Sequence, residues 1–160
     1  MQENTETHST WKSILIGGTA AGVLSLIPFI NLLNLFFMLW MGVGGAITVY
    51  LLQREYKQVK NPEALLTGAL SGVWGCTVFG VFIYFAISRI PPERFVKAAS
   101  MLRAFIPEVE EELTMMLQGD NLQVFTLIII AVLMVFSIIS GAVGGILSKH
   151  FSTQEQEENE

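Results

Sequence analysis

The sequence predicts an all-α fold of four transmembrane helices, arranged as two tandem glycine-rich hairpins with an amphipathic helical segment between the third and fourth helices. Three observations predict it. The chain is 52% hydrophobic and only 14% charged, with a mean hydropathy of +0.54, too apolar and too poorly charged for an ordinary soluble domain. Four apolar stretches are long enough to cross a hydrocarbon core about 30 Å thick, which takes roughly 20 residues. A glycine pattern also recurs: Gly18-x-x-x-Gly22-Val23 returns as Gly68-x-x-x-Gly72-Val73, and Val43-Gly44-Gly45 returns as Val143-Gly144-Gly145.

In chain order the reading is a polar tail over 1–12, a first hairpin over 13–53, a basic loop over 54–63, a second hairpin over 64–148 and an acidic tail over 149–160. The spans run from about Ser13 to Ile30, Leu35 to Gln53, Ala64 to Ser88 and Leu122 to Ser148, without an internal Asp, Glu, Lys, Arg or His. In lipid every backbone amide needs an internal partner, so each is expected to be a helix. The first span follows a segment with Glu3 and Glu6 but no Lys or Arg before Lys12. That is the wrong charge for a secretory signal, and the span is read as a retained helix. Pro28, Asn31 and Asn34 mark the turn of the first hairpin.

The first helix aligns with the third at a shift of 50 residues and the second with the fourth at a shift of 100. The extra length therefore falls between the glycine centres of the second hairpin. A straight helix from Pro62 to Arg89 would reach roughly 40 Å, against about 28 Å from Lys12 to Asn31, so the second hairpin is expected to project past the first. The two hairpins are expected to be parallel copies about an axis along the membrane normal.

Between the long helices lies a cap over 91–119. Phe95, Ala98, Ala99, Leu102, Phe105 and Ile106 recur at helical steps opposite Glu93, Arg94, Lys97 and Arg103, the pattern of an amphipathic helix. Pro107 breaks it, and Glu108, Glu110, Glu111 and Glu112 suit the first turn of a second short helix ending near Leu113 to Gly119. Two readings stay open: a linker pair on the membrane surface or over the bundle, or a partner-docking face carried by Phe95, Leu102, Phe105 and Leu113.

The glycines Gly18, Gly22, Gly44, Gly45, Gly68, Gly72, Gly75, Gly141, Gly144 and Gly145 are expected to let helix backbones approach closely, because lipid supplies little hydrophobic drive between helices. The in-span hydroxyls Thr19, Ser25, Thr48, Thr67, Ser71, Thr77, Ser137 and Ser140 can each bond a carbonyl one turn earlier. Trp40 and Trp74 are expected to fill gaps opposite glycines.

No catalytic, cofactor or metal residues are assigned. Cys76 is the single cysteine, His8 and His150 have no ligand-spaced companions, and the glycine runs lack the strand and the basic residue of a phosphate loop. No ionisable group lies within a span, which argues against a coupled transporter. A net charge of -5 excludes a nucleic-acid footprint. Lys12, Arg54, Lys57, Lys60 and Lys149 fall on the side of the termini, against Arg89, Arg94, Lys97 and Arg103 opposite, so both termini are expected to be cytoplasmic.

The run from Gly17 to Asn31, with Gly44-Gly45-Ala46, Tyr50-Leu51 and Gly68 to Gly75, resembles small bacterial four-helix integral membrane proteins of unknown function. The resemblance implies fold and membrane location and carries no functional residues. The expectation is a multi-pass inner-membrane protein that is not an enzyme and takes no cofactor. Its partners are the lipid bilayer and either further copies of itself or another membrane protein, and no nucleic acid. Its role is that of a scaffold or accessory subunit, the alternative being a small oligomeric channel or permease.

Overall fold

The computed structural model describes residues 3–27, 39–56, 59–91, 94 and 121–157, and the described residues are all-α, with no strand among them. Four helices follow one another: α1 Glu3–Leu24, α2 Leu39–Tyr56, α3 Asn61–Ser88 and α4 Asn121–Glu157. At 1.5 Å per residue α4 is about 55 Å long and α2 about 27 Å. The first hairpin turn at Pro28 to Asn34 and the cap residues Phe95, Leu102, Phe105 and Leu113 lie outside the described residues.

The helix ends follow from local chemistry. α3 starts where the Lys60 backbone N–H donates to the Glu63 carboxylate at 3.1 Å and the Ala64 N–H donates to the Lys60 carbonyl at 2.9 Å. This is half of a capping box, with Pro62 in the first turn, where its missing N–H has no helical partner to lose. At the other end Arg89 and Ile90 close tight turns onto Ala86 and Ile87 before Pro91 and Pro92, which cannot continue a helix. α1 ends in the same way, with Leu26 on Val23 and Ile27 on Leu24, one residue before Pro28.

The chain forms two compact units, one of Met1–Phe79 with Leu133–Glu160 and the other of Gly80–Val132. Within the first, α1 and α2 run antiparallel: the Ser9 hydroxyl donates to the Glu55 carboxylate, Thr48 Oγ1 lies 3.3 Å from the Ser13 carbonyl, and a methyl on Gly44 would stand 2.8 Å from the Gly17 carbonyl oxygen. α3 and α4 are antiparallel too. Lys149 Nζ donates to Asn61 Oδ1, and methyls on Gly145, Gly141 and Gly72 would strike the Ala64, Gly68 and Ser137 carbonyls in turn. α1 lies alongside α3 through Gly18, Gly22 and Gly75, and α2 alongside α4 through Gly42 with Ser140, Gly45 with Gly141 and Val49 with Gly145. Both of these contacts are parallel. Val49, Leu52, Val59 and Ala64 form a small apolar cluster between α2 and the start of α3.

Of the four expected spans, two described helices have the length and hydropathy to cross a membrane, Asn61–Ser88 and Leu122–Phe151. α1 and α2 carry only part of the first two expected spans, because residues 28–30 and 35–38 lie outside the described residues. The described part of α1 begins at Glu3 and ends at Leu24, so it contains Glu3, Glu6 and Lys12 and lacks the apolar residues beyond the turn. α2 has 18 residues, three of them glycine, and ends in Arg54 and Glu55.

In the second unit, α3 from Gly80 and α4 up to Val132 meet where a methyl on Gly80 would reach Ile130 Cγ2 at 3.0 Å. That contact is with a side chain, which can move. Gly80→Ala is therefore expected to be close to neutral, since helix propensity returns about 1 kcal/mol. Gly141→Val, by contrast, would drive carbon into the α3 backbone at Gly68 and Gly72, at an expected cost of about 3 kcal/mol. Thermal unfolding of both variants in detergent checks the contrast.

Candidate functional site

The residues that the sequence singles out meet in the first unit, in a seam of glycines and hydroxyls. On α1, Ser9, Ser13, Gly17, Ala21 and Ser25 recur every four residues and all are buried, a stripe that faces α2 over most of its length. Gly18 and Gly22, one position further round, face α3 instead: a methyl on Gly18 would lie 2.6 Å from the Ser71 carbonyl and 2.9 Å from Trp74 Cδ1, and one on Gly22 would lie 2.8 Å from the Gly75 carbonyl. On α3, Ala64, Gly68 and Gly72 face α4, whose matching stripe is Gly145, Gly141 and Ser137. Small residues at i and i+4 lie one above the other on a helix, which is what lets two backbones touch along a line.

Gly141 is the junction. Its backbone meets Gly45 of α2 and both Gly68 and Gly72 of α3. Gly44 and Gly45, adjacent in sequence, serve opposite sides of α2, Gly44 against Ala21 and Gly17 of α1 and Gly45 against Gly141 of α4. Gly75 approaches both α1 and the Met41 sulfur of α2, and Gly144 abuts Gly42. All ten glycines named from the sequence therefore lie at helix contacts. Sequence reasoning missed Gly17, Ala21, Ala64 and the serine rungs Ser9 and Ser13. The four-residue spacing of small side chains was the signal that could have found them.

The repeated motifs do not make repeated contacts. Gly18 and Gly22 meet α3, whereas their sequence counterparts Gly68 and Gly72 meet α4.

In-span hydroxyls bond the carbonyl four residues back: Ser25 to Ala21 at 2.8 Å, Thr48 to Gly44 at 2.9 Å, Thr67 to Glu63 at 2.7 Å, Thr77 to Val73 at 2.8 Å and Ser137 to Leu133 at 2.8 Å. Thr19 does something else, accepting the indole N–H of Trp74 at 3.0 Å. Trp74 thus stands across from Gly18, as expected, but is exposed and tied to α1 by a hydrogen bond. Ser71 departs from the expectation: it is fully buried and its hydroxyl has no partner. Cys76, also buried, has its thiol against the Ser137 side chain.

Around this seam the polarity is inverted relative to a protein folded in water. Ser9, Ser13, Ser25, Thr48, Thr67, Ser71 and Ser137 are buried, while Leu66, Phe136, Ile139 and Phe151 are each more than half exposed. Soluble proteins rarely expose large contiguous apolar surfaces, so the fold and its seam define an integral membrane protein. Residues 11–154 match the family described as the MJ1491 transmembrane domain, and the chain belongs to that family. No curated protein and no solved structure matches it.

Two substitutions separate hydroxyls that hold the seam from one that does not. Ser71→Ala removes a buried, unpaired hydroxyl and is expected to be neutral or to stabilise by up to about 1 kcal/mol. Thr48→Val removes a hydroxyl shared between α2 and the Ser13 carbonyl, and is expected to cost about 1 kcal/mol. Both are read from the unfolding midpoint in detergent.

Proposed function

We propose that the chain is a four-span, non-enzymatic membrane protein that serves as a scaffold or accessory subunit of a membrane complex. The observation that carries the reading is the inversion of polarity, which extends to α1 and α2. α1 buries Ser9, Ser13, Gly17 and Ala21 and turns Trp11, Leu15, Ile16 and Val23 outward; α2 buries Gly44, Gly45 and Thr48 and turns out Leu39 and Tyr50. Helices that face water place these classes the other way round. Trp11 and Tyr50, with Lys12 and Arg54 beside them in sequence, suit a headgroup boundary. The up-down order of α1 to α4 within the first unit fits four crossings with both termini on one side. The exposed cations Lys12, Arg54 and Lys60 at that end favour the cytoplasm.

On this reading the ten glycines bind the bundle together and leave the outer surface for lipid and for a protein partner. The partner is met by the cap over 91–119, through Phe95, Leu102, Phe105 and Leu113. A small oligomeric channel is the second reading, and one observation favours it: the unpaired Ser71 hydroxyl inside the glycine seam is the kind of group that lines a polar path. The internal hydrogen bonds of the other hydroxyls weigh against it.

Two experiments test the proposal. In a Cys76→Ala chain, a cysteine at Thr7 is expected to label from the cytoplasmic side only and one at Asn31 from the opposite side only. Labelling of both from one side would remove α1 as a span and overturn the four-span reading. Purification from native membranes in mild detergent is expected to yield a hetero-complex that is lost on deletion of 91–119. A homo-oligomer without companions, conducting solute in liposomes, would replace the accessory-subunit reading with the channel.

A further inference from the structure

The second unit contains a cavity of about 460 Å³ lined by Val81, Phe82, Phe85, Ala86 and Arg89. Val81, Phe82, Phe85 and Ala86 form one stripe of α3 and Arg89 follows just past its end, at steps of one, three, one and three over about 12 Å. Val81, Phe82 and Phe85 are each at least half exposed. Tyr84 stands edge-on to Phe85, with ring centroids 6.2 Å apart and planes at 77°, which steadies the Phe85 ring in the wall. The polar composition is confined to one end. The Ser88 hydroxyl is already bonded to the Tyr84 and Phe85 carbonyls, which leaves the Arg89 guanidinium as the one charged group among the described lining residues.

Depth decides what such a cavity can hold. Val81, Phe82, Phe85 and Ala86 lie inside the candidate span Asn61–Ser88 and Arg89 is the first residue past it, so the apolar wall is level with acyl chains and the cation with headgroups. Arg94, also exposed, follows on a turn in which its N–H donates to the Pro91 carbonyl at 3.0 Å. Among the described residues of this unit there is no Asp or Glu to neutralise the two guanidinium groups.

We propose that this cavity is a site for an anionic phospholipid, with an acyl chain along Val81, Phe82 and Phe85 and the phosphate on Arg89. A guanidinium presents a planar fork of donors that matches phosphate oxygens two at a time, and a cation at headgroup level next to an apolar helix face suits a charged lipid. The inference rests on the membrane-spanning reading of α3.

The test is native mass spectrometry of the full chain after exchange into detergent carrying equal amounts of phosphatidylglycerol and phosphatidylcholine. The wild-type chain is expected to retain phosphatidylglycerol about five-fold over phosphatidylcholine. Arg89→Gln should abolish the preference, Arg54→Gln at the other end of the helices should leave it intact, and Phe85→Ala should lower retention of both lipids. Equal retention by the wild type, or a preference untouched by Arg89→Gln, would overturn the site. So would displacement of the lipid by inorganic phosphate alone, which would reduce the cavity to an anion contact. Each variant is first checked for resistance to carbonate extraction: failure of the wild type there would overturn the spanning reading itself, whereas an inserted chain without lipid preference overturns only the site.

Discussion

The approach of helix backbones at Gly141 is the constraint on which the rest of the first unit depends. There α4 meets Gly45 of α2 and Gly68 and Gly72 of α3 with no side chain between them. In hydrocarbon the gain from burying apolar surface is absent, and dispersion forces between closely spaced atoms have to hold helices together. Those forces fall away within about an ångström of separation. Hydrogen atoms at Gly141, Gly45, Gly68 and Gly72 are what keep the separation small enough for three helices at once. Once that contact is set, the other rungs follow at one-turn intervals, Ala64 with Gly145 and Gly72 with Ser137 on one side, Gly17 with Gly44 on another.

The hydroxyls complement this packing. A buried serine or threonine is nearly as small as the residues around it, and its oxygen is satisfied by its own helix, as Thr67 and Ser137 are. It therefore fills a narrow seam without calling for a charged or solvated partner. Thr48 and Thr19 go further and reach a second helix, the first toward the Ser13 carbonyl and the second as acceptor for Trp74. The Trp74 bond also settles a polar N–H on an outward-facing side chain, which would otherwise be exposed to lipid unpaired.

Much of this was legible in the residues. Long apolar runs identified α3 and α4 as spans because their composition is dominated by Ile, Val, Leu and Phe, and all ten glycines picked out by spacing lie at helix contacts. Which helix each glycine meets was not legible. Gly17 and Gly18, or Gly44 and Gly45, are about 100° apart on a helix of 3.6 residues per turn, so neighbours in sequence address different partners, and matching Gly18 to Gly68 by motif pairs residues whose contacts differ. The serine stripe on α1 was overlooked because serine was weighed for its hydroxyl and not for its size. α1 and α2 read as spans from apolar blocks that continue outside the described residues, so each described helix holds only part of its block. The cap over 91–119 was legible only as a pattern.

The division of contacts between neighbouring glycines has a consequence for how the molecule can vary. Gly17 and Gly18 on α1 address α2 and α3, and Gly44 and Gly45 on α2 address α1 and α4. A change at one member of either pair is therefore felt at one seam and spares the other. Each of these helices carries two separately adjustable joints on adjacent residues, so one can be refitted while the other holds its neighbour in register.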